Sequence, residues 1–135
     1  MSLPTAYDEV YEAIYERLTN DATLMALITG IYDDVPDASS FPYIQLGEPI
    51  ELPFDAFANQ GKQVTVPIHV WSRYNGNKEC SDIQSRIATL LDRYALSVDG
   101  MVLTRCVFES GRVMRDPDGM TRHGLQQFVI EVSES

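Results

Sequence analysis

Cysteine, histidine and long apolar runs are scarce in this 135-residue chain, and basic residues are nearly missing from its first sixty positions. The two cysteines, Cys80 and Cys106, lack the close spacing of a metal or redox motif, and both read as small buried hydrophobes rather than a disulfide. Apolar stretches are broken by Asp, Arg, Gln or Pro, and none approaches the about 20 residues that a membrane-spanning helix takes. Residues 1 to 10 show no basic region followed by an apolar run, so no secretory signal is expected and the chain is expected to stay in the cytosol where it is made.

Reactive motifs are missing too. There is no Gly-x-Ser-x-Gly elbow, no phosphate-cradling glycine loop and no paired-cysteine motif. Asn59-Gln60-Gly61-Lys62 lacks the first glycine and the Ser or Thr of a phosphate loop and reads as a turn. His69 and His123 each stand without a second ligand at metal spacing and read as structural. Asp33-Asp34 with Asp37, and Asp116-Pro117-Asp118-Gly119, do not complete the spaced acid ladder of a calcium loop. The expectation is therefore a chain with no catalytic residue, no metal and no cofactor.

Acid is abundant, and it is unevenly placed. Residues 1 to 60 carry eleven carboxylates against the single base Arg17, while residues 61 to 135 hold nine acids and nine bases, so the whole formal charge of −10 lies on the first stretch. Such a field repels nucleic acid without deciding a fold. Arg105, Arg112, Arg115 and Arg122 fall close together and form a basic strip, but without net positive charge or interleaved aromatics they favour docking on an acidic neighbour over reading nucleic acid.

The length fits one domain, residues 1–135. Tyr7, Val10, Tyr11, Ile14 and Leu18 recur at helical spacing with acids on the other side, which predicts a helix from about Thr5 to Leu18, with Thr5 and Asp8 as a capping box. Asn20 or Asp21 caps a short second helix, with Gly30 available for its left-handed end. Ile31 to Val35 is expected to be extended, and Asp33 to Pro42 to be loop. Tyr43 to Leu46 reads as a strand, continued after a bulge by Ile50 to Phe54, with a mobile hairpin loop over Asp55 to Gly61. In Lys62 to Arg73, Val64, Val66, Ile68 and Val70 alternate with Gln63, Thr65, Pro67, His69 and Trp71, and Pro67 argues for a sheet edge or a bulge. Asn77 caps a helix with Cys80, Ile83, Ile87, Leu90, Leu91 and Tyr94 inward and an exposed Asp82–Arg86 pair. Asp99-Gly100 is expected to join Leu96–Val98 to a strand from Met101 to Glu109. Asp116–Gly119 joins Arg112–Met114 to a last strand with Phe128, Ile130 and Val132 on one side. The fold class is α+β, a mostly antiparallel sheet with helices packed on one face.

Taken in order, the acidic helix, Val35-Pro36, Phe41 through Gly47, the strand Val64 to Val70 running into Trp71-Ser72-Arg73, the helix from Asn77, and Gly124 through Val132 carry a likeness. They resemble the tail-completion, or tail-terminator, family of long-tailed bacteriophages and phage-like gene transfer agents. The resemblance implies a structural virion protein that forms a ring, usually hexameric, on the head-proximal end of the tail tube. It implies that this ring stops tube polymerisation, meets the head connector and lets DNA through its hole without sequence-specific binding. Implied partners are further copies of the chain, the tail tube protein and a connector or stopper protein, with no membrane. Implied localisation is the virion, after assembly in the bacterial host cytoplasm. On this reading the loop bearing Phe54, Asp55, Phe57, Asn59 and Lys62 reaches the tube, and Trp71, Arg73, Arg112, Arg115 and Arg122 meet a neighbouring subunit or the connector. The rival expectations are an acidic DNA-mimicking inhibitor and another connector component such as a head-closure protein.

Overall fold

The computed structural model describes residues 4–55 and 59–134. In chain order it has helices α1 (Tyr7–Thr19) and α2 (Ala22–Met25) and strands β1 (Ile31–Tyr32), β2 (Tyr43–Leu46), β3 (Ile50–Pro53) and β4 (Gly61–Ser72). Helix α3 (Lys78–Leu91) and the long strands β5 (Met101–Arg115) and β6 (Arg122–Glu134) complete it. The strands form one six-stranded sheet in the order β1-β2-β4-β6-β5, with β3 following β2 along the same side of β4. All pairings are antiparallel except β1 on β2. The α+β reading therefore holds.

Alternation along the strands decides which side is covered. Val64, Val66, Ile68 and Val70 of β4 and Phe128, Ile130 and Val132 of β6 are buried in one cluster with Val10, Ile14 and Leu18 of α1 and Ile83, Ile87 and Leu91 of α3. Burying one such side chain is worth about 1.5–3 kcal/mol. The exposed Lys78–Asp82 pair on α3, at 3.1 Å, belongs to a class worth about 0.3–0.5 kcal/mol. Packing, and not surface charge, holds the helices down. Cys80 and Cys106 are unpaired and buried in this core, and burial pushes their thiols up to about 11 and about 12.

Several local expectations are corrected. Thr5 and Asp8 form no capping box: α1 has no side-chain cap from its own chain start. Glu51 of β3 supplies it instead, accepting from Thr5 Oγ1 at 2.8 Å and from the Ala6 amide at 2.9 Å. Its charge also suits the positive end of the helix dipole. Asp21 does cap α2 through the Leu24 amide, but Gly30 is not left-handed. Arg86 leaves Asp82 and forms a two-pronged bond to Asp21 at 2.8 and 2.7 Å, because the inter-element geometry fits a guanidinium fork better than an exposed helix turn. Asn77 gives α3 no side-chain cap; its Oδ1 accepts from Arg122 Nε. Leu96–Val98 is no strand: the Asp99-Gly100 turn forms, with Met101 N bonded to Val98 O, but leads from an irregular segment whose Leu96 and Val98 pack in the core. The two stretches expected as Met101–Glu109 and Arg112–Met114 are one strand, bulged twice.

Pro67 sits in a central strand, not at an edge. Its carbonyl accepts from Gly47 N at 2.7 Å, so its missing amide faces the same side, where β2 has ended at Leu46 and β3 has not begun. The proline falls at a break in its neighbour, which is locally an edge.

Candidate functional site

Helices cover one face of the sheet and leave the other to the side chains that alternate with the core. Gln45, His69, Trp71 and His123 gather there because β2, β4 and β6 set Gln45 opposite His69 and Trp71 opposite His123. The indole Nε1 of Trp71 donates to Gln45 Oε1 at 3.1 Å, and its ring stacks on His123 at 4.0 Å between centroids and 5° between planes. His69 Nδ1 and His123 Nε2 lie 2.6 Å apart, one donating and the other accepting. Burial pushes both imidazoles below their ordinary pKa of 6.5; for His123 the neighbouring His69 acts in the same direction and Asp116 against it. At pH 7 the pair is neutral and bonded to itself. Among the described residues no group of three His, Cys, Asp or Glu is placed to hold a metal ion. The three rings form one stacked, half-buried patch on the face that the helices leave open.

Beside it lies a shallow cavity of about 410 Å³, bordered by Phe41, Tyr43, Trp71, Arg73 and Thr121. The Arg73 guanidinium stands 4.4 Å over the Phe41 ring, and its Nε donates to Thr121 Oγ1 at 3.3 Å. Asp118 shapes the adjoining turn, accepting from the amides of Met120 and Thr121 and from the Thr121 hydroxyl. Those bonds, the hydroxyl first, draw its pKa down to about 2.

The residues expected to meet partners fall at the two ends of the long strands. Phe54 is half-buried, with its amide donating to Gly61 O; Asp55 is exposed and its Oδ1 accepts from Gly61 N at 3.1 Å. Asn59 is exposed and Lys62 half-buried between Pro53 and Val132, whereas Phe57 and residues 56–58 of that loop lie outside the described residues. Trp71 and Arg73 are at the far end of β4, twelve residues long, hence about 35 Å away at about 3.3 Å per residue. Arg112 and Arg115 are exposed at that same end on β5. Arg122 shares the end but is buried at 7% exposure, its guanidinium engaged with Asn77. Arg105 is bonded at 2.7 Å to the buried Glu131. The structure therefore joins the second set of residues and separates it from the first.

Sequence reading missed the histidine pair and a groove at the β1 edge. Alternation already put His69 and Trp71 on one side; only the β4–β6 register could add His123. That groove, of about 390 Å³, runs between α1 and β1 beside Tyr11, Tyr15, Tyr32, Glu12, Asp33 and Asp34.

A family model described as tail completion protein gp17 matches residues 12–133. A curated relative, tail completion protein gp17 of Bacillus phage SPP1, is 26% identical over 125 residues, covering 93% of this chain and 92% of the relative. Among solved structures, a chain in the virion of a native gene transfer agent particle superposes with a TM-score of 0.89 at 21% identity, covering 97% of this chain and 99% of that one, a likeness of fold. The structure of bacteriophage SPP1 gp17 matches with a TM-score of 0.61 at 25% identity, over 91% of this chain and 88% of the other. With that match over nearly its full length, this chain belongs to the tail completion protein gp17 family.

Proposed function

We propose that this chain completes the tail of a phage-like particle. Copies form a ring, hexameric as in the family reading, on the head-proximal end of the tail tube; the ring stops polymerisation, joins the tail to the head connector and passes DNA through its hole. The observation that carries this is the gp17 family match over residues 12–133. Chain geometry supports it, because a sheet with different side chains at its two ends suits a piece set between two machines. The protein works through surfaces and carries out no reaction. Phe54, Asp55, Phe57, Asn59 and Lys62 reach the tube; Trp71 and Arg73 face the connector; Arg112, Arg115 and, behind them, Arg122 serve the contact between subunits or with the connector. The particle is assembled in the host cytoplasm, and the chain stays in the virion.

The acids of residues 1 to 60 suggest a second role in the same ring. Where they face the hole, their repulsion keeps the duplex from adhering to the wall.

Polymerising the tail tube protein with and without this chain tests the reading. Capped tubes of uniform length, with ring density at one end in negative-stain images, are expected. Tubes that keep growing with bare ends would overturn it.

A further inference from the structure

Charge on this molecule is sorted by sheet edge. At the β1 edge, the groove walled by Tyr11, Tyr15 and Tyr32 carries Glu12, Asp33 and Asp34. The Tyr11 hydroxyl oxygen is buried without a hydrogen-bond partner among the described residues. Burial first, then Glu48 and Asp33, pushes that phenol up to about 12, so it stays neutral. The single base of the acidic stretch, Arg17, is committed elsewhere: its Nε donates to Leu90 O and its guanidinium covers the Tyr94 ring at 3.5 Å. Aromatic faces plus carboxylates are the surroundings that hold a guanidinium.

The opposite edge supplies one. Arg112 and Arg115 are exposed on β5, and the register, with Arg112 opposite Leu125 and Arg115 opposite Arg122, sets them on the two faces of the strand, so that they straddle its edge as a fork. Directly opposed like charges destabilise a strand pair, so Arg115 gains from an acid brought by another molecule. Glu109 and Asp116 stand near the fork along the chain and shorten its field, which makes the match one of contact rather than of distance. Part of the outer side of β5 is already taken, by Arg93 N on Cys106 O at 2.7 Å and Phe108 N on Asp92 Oδ1 at 2.8 Å, which leaves side chains to make the contact near the fork.

We propose that the Arg112–Arg115 fork of one copy enters the tyrosine-walled acidic groove of the next copy. The contact runs from one sheet edge to the other, is made by side chains, and is head-to-tail, the type that closes into rings when the rotation permits. It rests on the ring reading above and adds the surfaces. The strands then run along the tail axis, with the Phe54–Lys62 and Trp71–Arg73 ends facing tube and connector.

The test uses the full chain with tail tube protein of the same particle, scoring capped tube ends in negative-stain images. Arg112→Glu with Arg115→Glu, and separately Asp33→Arg with Asp34→Arg, should each lower the capped fraction at least about tenfold, as like charges come to face each other. Both pairs change exposed side chains, and unaltered thermal unfolding checks the fold. Mixing the two variant chains should restore capping, since alternating copies again present opposite charges. Caps formed normally by either variant would overturn the inference and leave the ring reading standing. Loss without rescue on mixing would overturn it in favour of tube or connector as the occupant of the groove. Tubes left bare by the unaltered chain would bring down both.

Discussion

Gly61 shows how little room the turn into β4 leaves. A Cβ there would collide with the carbonyl oxygen of Phe54 and stand 2.9 Å from that of Val132, and both obstacles are backbone. Gly61→Ala is expected to destabilise the fold by about 1–3 kcal/mol, seen as a lower denaturant midpoint with an unchanged slope. The histidine pair gives a pH signature. Folding lowers both pKa values, so the unfolded chain takes up protons first. The stability present at neutral pH is lost as pH falls below about 6.5, and it levels off once the folded imidazoles are themselves charged. His123→Phe keeps a ring against Trp71 and should flatten that part of the curve in thermal unfolding between pH 7.5 and 5; an unchanged pH profile would refute the assignment.

Helix ends and strand partners explain both what could be read from the sequence and what could not. Periodicity placed Val10, Ile14 and Leu18, the four inward residues of β4, and Ile83, Ile87 and Leu91 correctly, because burial repeats at 3.6 or 2 residues whatever the neighbours are. Caps and ion pairs depend on what lies across space. Thr5 found its partner 46 positions away at Glu51, and Arg86 found Asp21 65 positions away. The same holds for the candidate surfaces: the Phe54–Lys62 and Arg112–Arg115 segments were visible from composition, but the histidine cluster and the tyrosine groove exist only in the register. Glu51→Ala should therefore loosen the start of α1 at a cost of about 1 kcal/mol in chemical denaturation, while Glu51→Gln, still an acceptor, should cost less. The Asp21–Arg86 bond, with Arg86 as the first cause, holds Asp21 down at about 2. Its contribution is full above about pH 4 and disappears as pH falls through about 2, so Asp21→Asn should lessen the acid sensitivity of the unfolding midpoint in that window.

Taken together, the elements make a plate whose two ends and two edges carry different side chains, and on the proposed reading each end meets a different partner. That arrangement separates effects that a single site would mix. Lys62→Glu should reduce capping of tubes, whereas Arg73→Glu should leave capped tubes that fail to join heads, with melting temperatures within about 4 °C of the unaltered chain. Capping kept by Lys62→Glu, or lost by Arg73→Glu, would count against the two-ended arrangement. The two thiols add a practical consequence. A maleimide attacks through thiolate, and both native sulfurs are enclosed, unpaired and held far above the pH at which such reagents are used. A cysteine introduced at Ser85, exposed on α3 and outside the proposed contacts, is consequently the one position a dye will modify quickly, and fluorescence transfer between labelled copies can report joining as it happens.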